Sequence, residues 1–434
     1  MSSRRRHAVT GVVVAALALA GAGCGDGDGG GEGPPRLQWY VNPDDGGQAE
    51  IGRRCTAKAQ GRYRIETPVL PRSASDQREQ LLRRLAAKDS SIDLMSLDPV
   101  FVPEFAEAEF LAPIPEGQAR SLSEEALEPA VKGATWNGRL VAVPMWANTQ
   151  VLWYRKSVVR KAGLDLETAP VTWARLIAAA RSTGTTVAVQ AQRYEGYTVL
   201  INALIESARG RIIENPGASS DNIELGIDSP AGSRSASIIR RLADSGVGGP
   251  SLSNADEEAA RTLFQGANGG FMVNWPYVWR AANAAIEDGS LSREVVSDIG
   301  WARYPRAMSG APSRPPLGGI DLGIGRWSEH AELALDAARC IASPENQTFY
   351  FLHDGNPAAR ASVYSDPRVL EAFPMAPLLR ESLRASAPRP RTEFYGDLSA
   401  GLQREFHPPD AVTSNTPGDA QAFILRVLHG EDLL

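Results

Sequence analysis

The chain is poor in the groups that run reactions. Its five histidines, His7, His330, His353, His407 and His429, show no spacing that would hold a metal ion. No serine sits in a strand-to-helix elbow of the kind that builds a nucleophile. The glycines of GGIDLGIG (318–325) do not fall at dinucleotide-binding intervals. Positive charge is also short. The formal charge is −6, and it becomes −9 without the three arginines of the first 23 residues, which hold no acid. A surface of that sign repels nucleic acid. No internal repeat or coiled-coil heptad runs through the sequence, and no cofactor is indicated.

What the chain does have begins at its start. Arg4–Arg6 precede an apolar stretch from Ala8 to Ala22, and small residues lead to Cys24. A charged, then apolar, then small-residue order is an export leader, too short for a membrane span. Residues 1–23 read as that leader, and paired arginines leave twin-arginine export open beside the general route. A cysteine after small residues matches a bacterial lipoprotein signal, although Gly21 stands where leucine is usual. Cys24 would then carry lipid; the other reading is ordinary cleavage with an incidental cysteine. The stretch GDGDGGGEG lacks the ligands of a calcium loop and reads as a flexible tether over 24–35. Cys55 and Cys340 remain as an even pair in an exported chain. That suggests a disulfide, with two buried thiols as the alternative.

Strand-like and helix-like stretches alternate, which predicts α/β layers. RLQWYVN (36–42), Tyr63–Leu70, SIDLMSLD (91–98), TVAVQA (186–191) and GGFMVN (269–274) read as strands. LVAVP (140–144) and QVLWY (150–154) read as strands flanking an irregular MWANT. Ser73, Thr172, Asn254 and Ser343-Pro344 read as helix starts, with Ser328 heading another. At 434 residues the chain is too long for one core, and no clear linker divides it. Two lobes that exchange the chain, with a ligand between them, fit both facts. The boundaries predicted are 36–146 and 317–343 for one lobe, 147–316 and 344–434 for the other.

Polar and aromatic residues collect where strands end. Asp98 follows IDLMSL, Asn148 follows VAVPMWA, and Trp275 follows FMVN. Ligands of layered α/β folds sit at such carboxyl ends. Amides and carboxylates each make several hydrogen bonds, as a hydroxyl-rich ligand requires. An indole face suits the C–H face of a sugar ring, so Trp275 reads as a platform, backed by Tyr277 and Trp279. The blander readings are a core tryptophan, a helix cap at Asp98, and a capping box joining Asn254 to Glu257.

The run VAVPMWANTQVLWYRK resembles the crossover of the extracytoplasmic sugar-binding proteins of ABC importers, the maltose-binding-protein class. With LPRS (70–73), FAEA (105–108), VNWP (273–276), GGIDL (318–322), ARCI (338–341) and ASVYSDP (361–367), the chain looks like the trehalose-binding lipoproteins of mycobacteria. The paired cysteines match as well. The resemblance implies an α/β, two-lobed periplasmic-binding-protein fold of type II, with the chain crossing the hinge more than once. It implies ligand contacts at Asp45, Gln77 and Asp98 on the first lobe. Asn148, Glu257 and Trp275 would reach in from the second, Gly319 and Ile320 would line the second crossover, and Arg389 would contact sugar, with Arg391 as fallback. Asp321 stands where that pattern has asparagine.

The implied function is a monomeric, lipid-anchored receptor on the outer face of the cell membrane. It would close on a disaccharide such as trehalose or a related α-glucoside and hand it to the transmembrane permease subunits. The alternative is a secreted glycoside hydrolase with Asp98 and Glu257 as its carboxylate pair. A surface adhesin is a third reading, and it would require an exposed apolar patch.

Overall fold

Two β-sheets, each covered by helices on both faces, organise the chain. The computed structural model describes residues 33–434. The leader, Cys24 and most of the tether lie outside the described residues. Pro34–Leu434 form one compact unit.

The first sheet holds β1 (Arg36–Tyr40), β2 (Arg64–Glu66) and β3 (Leu94–Leu97), with β1 between β2 and β3 and parallel to both. Thr135–Trp136 (β4) and Arg139–Leu140 (β5) make a small separate hairpin. Alternate residues of β1 point to opposite faces, as the two-residue period of a strand demands. Leu37 and Trp39 join the core under the helices Gly47–Lys58 and Ala331–Ile341. Tyr40 joins the opposite core, with Leu81, Leu85, Phe101 and Phe105.

The second sheet is built from β7 (Val151–Arg155), β8 (Thr186–Ala188), β9 (Gly269–Asn274) and β10 (Ile299–Ala302). Its order is β10-β7-β9-β8. Every residue of β9 is buried, and Phe271 and Val273 enter one core while Met272 enters the other. Helices on both faces explain why this strand lacks a polar side.

Three connections join the sheets. β6 (Val143–Thr149) belongs to the first sheet, and Gln150 alone separates it from β7 of the second. β11 (Pro316–Ile324) returns the chain and pairs antiparallel with β6 and β3. β12 (Ala387–Pro388) lies parallel to the start of β11 and leads into Arg389. MWANT is therefore strand, not irregular: its partners, Leu317–Ile320, lie far away in sequence, where local pattern cannot reveal them.

Most helix starts fall where the caps predict. Ser73 accepts from the amide of Asp76 at 3.4 Å, Thr172 from Arg175 at 3.3 Å and Ser343 from Asn346 at 3.3 Å. Two do not. Asp256, not Asn254, caps the helix Glu257–Gln265, accepting from Ala259 at 2.8 Å. Glu257 is thus the first helical residue, and no capping box joins it to Asn254. Ser328 binds the amide of His330, and the helix itself begins at Ala331. Cys55 and Cys340 are bonded, with Cα atoms 5.8 Å apart, joining two helices on one face of the first sheet.

Candidate functional site

The floor of the site is β11 where it passes between the sheets. Gly318 pairs with Asn148 of β6. A methyl group on Gly318 would lie 3.0 Å from Cη2 of Trp275, so the indole rests almost on the bare strand. Gly319 has φ +136°, and a Cβ there would meet the carbonyl of Trp146 at 2.4 Å. Both features require glycine. Ile320 pairs with Trp146 and is 4% exposed, with its side chain in the first-lobe core. Only its backbone is placed to line the crossover.

Trp275 follows β9 directly and is held from three sides. Its amide donates to Asn274 Oδ1 at 2.8 Å, and its indole N–H donates to Glu257 Oε1 at 3.0 Å. Asn274, fully buried, donates to the Glu257 carbonyl at 3.0 Å. Gln190 donates to Asn274 at 3.2 Å, and Gln150 to Gln190 at 3.3 Å. A chain of neutral amides thus runs behind the indole. It satisfies every link without burying a charge, which makes it an inexpensive way to fix a ring. Pro276 then opens the helix Tyr277–Glu287. Tyr277 donates to Glu258 at 2.6 Å, while Trp279 bonds the carbonyl of Ala372 and packs edge-on to Trp301. Trp279 is packing, not platform.

Glu257 keeps some exposed surface but lies deep among protein atoms. That desolvation raises its pKa to about 7, with the charges of Glu258 and Asp256 adding to the rise. The Trp275 N–H and the cation of Arg72, which comes from the first lobe, act in the opposite direction. Tyr194 stands nearby, its hydroxyl buried without a partner among the described residues. Burial first, then the Glu257 charge, push that phenol well up.

On the first lobe, both oxygens of Asp98 accept from one guanidinium nitrogen of Arg389, at 2.7 and 2.9 Å. The other terminal nitrogen donates to Glu195 at 2.5 Å. Glu195 also accepts from Ser399 at 2.7 Å and from the Tyr395 hydroxyl. Arg389 is 2% exposed, so this is a buried ion triad spanning the first sheet, the third connection and a second-lobe helix. Asp98 also accepts weakly from the Val100 amide, so it begins a turn as well. Arg391 points elsewhere, donating to the carbonyl of Thr135 and lying over Trp136.

The structure therefore brings Asn148, Glu257, Trp275 and the Gly318–Gly319 floor together, and Asp98 with Arg389. No hydrogen bond joins Asp45 or Gln77 to either group. Asp45 is exposed, and its amide donates to Asp354 at 3.0 Å. Its neighbour Asp44 does the capping, accepting from Gly46 and Gln48. Both ends of the Gln77 amide are used, by Asn42 at 2.6 Å and the Pro71 carbonyl at 2.7 Å. Gln77 shapes the loop that bears Arg72. Sequence reasoning missed Arg72, Tyr194 and Glu195. The signal for the last two was present: YEG follows the strand TVAVQA almost at once, the same strand-end position that drew attention to Trp275.

Residues 65–348 match the family described as bacterial extracellular solute-binding protein, and the chain belongs to that family. Its fold is the two-lobed, type II periplasmic-binding-protein fold. Among solved structures, it is similar to maltose-bound MalE3 of T. maritima, at 27% identity, with 91% of this chain and 99% of that one covered and a TM-score of 0.77. A cyclic alpha-maltosyl-1,6-maltose binding protein from Arthrobacter globiformis shares the fold at 22% identity, covering 92% and 100%, with a TM-score of 0.71. A probable ABC transporter-binding protein of Deinococcus radiodurans is 26% identical over 324 residues, 71% of this chain and 72% of that one.

Proposed function

We propose that this protein captures a disaccharide, trehalose or a related α-glucoside, between its lobes and delivers it to the permease of an ABC importer. The carrying observation is Trp275, an indole fixed by Glu257 and Asn274 over a floor of bare glycine backbone. A ring held this way offers a flat apolar face, with amides and carboxylates at its edge, as a pyranose requires. Support comes also from the maltose bound by the T. maritima relative and from the transporter role named for the D. radiodurans relative. Membrane attachment through Cys24 belongs to the same proposal and rests on the leader sequence. The hydrolase alternative gains nothing, because Arg389 occupies both oxygens of Asp98.

Specificity would follow from unpaired groups. A sugar whose hydroxyl points the wrong way leaves a buried donor or acceptor empty, at about 1–3 kcal/mol. A thermal-shift and calorimetric panel of trehalose, maltose, sucrose and monosaccharides tests the reading. One α-linked disaccharide should raise the melting temperature and bind one to one. A flat response across the panel would refute it, and release of glucose during incubation would restore the hydrolase.

A further inference from the structure

A second cavity opens on the other face of β11. Its volume is about 190 Å³. Leu317 lines it, while the adjacent Gly318 turns toward Trp275. Successive residues of a strand face opposite ways, so the indole and this cavity lie on opposite sides of the crossover. One wall is the helix Glu128–Gly133, and the other is the end of the helix Ala376–Ala385 with the third connection, Pro388–Arg391.

The chemistry of the walls is one-sided. Lys132, Arg384, Arg389 and Arg391 line the cavity against a single acid, Glu128, which Lys132 already pairs at 2.6 Å. Arg389 is neutralised by Asp98 and Glu195. Arg384 and Arg391 have no ion-pair partner among the described residues. The Nε atoms of Arg389 and Arg391 are buried without acceptors there. Asp321, 1% exposed, presses on the same wall: a Cβ on Gly133 would lie 3.3 Å from its Oδ2, which is also unpartnered.

We infer that this hinge cavity is a binding site for a small oxyanion, a phosphate or a carboxylate. Its walls carry four cationic side chains against one acid, so a ligand rich in acceptors and negative charge satisfies the most groups. Two guanidiniums can grip such an anion in a planar fork. Burial, with the charge of Asp98 adding to it, holds the Asp321 carboxyl well above its usual range. Any coupling between this site and the solute's is reciprocal, each ligand changing the other's affinity by the same factor.

The inference does not depend on which solute the main site takes. The test is calorimetric titration of the sugar-free protein, at low ionic strength, with inorganic phosphate and separately with citrate. Saturable one-to-one binding of either is expected, weakened at least fivefold in Arg384→Glu, a substitution at an exposed rim position. Preference for phosphate or for citrate would tell a phosphoryl ligand from a carboxylate. Absence of saturation with both anions, or identical binding by wild type and Arg384→Glu, would overturn the inference. Titration of Arg384→Glu with the disaccharide panel keeps the two sites separate. Retained sugar binding with lost anion binding supports a distinct hinge site.

Discussion

The assembly behind Trp275 and the assembly around Arg389 are built by opposite means. The Trp275 assembly is built on neutral groups: Gln150, Gln190 and Asn274 hand hydrogen bonds along to the Trp275 amide and the Glu257 carbonyl. The Arg389 assembly is built on charge and from both lobes, because Arg389 draws its partners from Asp98, just after β3, and from the helix Glu195–Ser207. The first therefore rests on hydrogen bonds between neutral side chains, the second on a buried cation that joins residues of both lobes.

The comparison breaks most visibly at Arg389. Arg389→Ala would leave Asp98 and Glu195 without their cation. A broken buried pair costs about 3–5 kcal/mol, so the urea midpoint should fall steeply. A midpoint unchanged within error would show that water already shields the triad. Asn274→Ala probes the neutral assembly. It strips partners from Gln190, the Trp275 amide and the Glu257 carbonyl, with an expected loss of about 1–3 kcal/mol and weaker sugar binding. Loss of stability without loss of affinity would mean that the amide chain does not set the indole.

Glu257 sharpens the comparison through pH. Its folded value, about 7, lies above the ordinary 4.5, so the folded protein keeps a proton that the unfolded chain releases. This contribution to stability is fully present below about 4.5 and is lost as pH rises to about 7. Melting temperatures at pH 5 and pH 8 should therefore differ less in Glu257→Gln than in wild type. An equal difference would place the titration elsewhere.

Local chemistry made much of this legible. Ser73, Thr172 and Ser343 cap helices as their spacing predicts, and the fully apolar β9 is buried on both faces. The strand-end reading placed Asp98 and Trp275 correctly, directly after β3 and β9, whereas Asn148 lies inside β6. What escaped depends on contacts distant in sequence. MWANT forms a strand because β11 lies beside it, about 170 residues later. Ile320 has the sequence context of a site residue, yet the two-residue alternation of β11 sets its side chain among core residues with Leu322 and Ile324. Glu195 stands near a strand end, but its partner Arg389 lies 194 positions away, beyond the reach of local pattern. The interval from Asn254 to Glu257 fits a capping box, but Asp256 lies nearer the turn and takes the amide.

The central claim is that solute is held between the lobes against Trp275. Calorimetric titration of wild type and Trp275→Ala with the disaccharide that wild type binds best tests it most directly. The account predicts an affinity loss of at least tenfold, about 1.4 kcal/mol, with the melting temperature of the sugar-free variant nearly unchanged. Equal affinity in both proteins would contradict it.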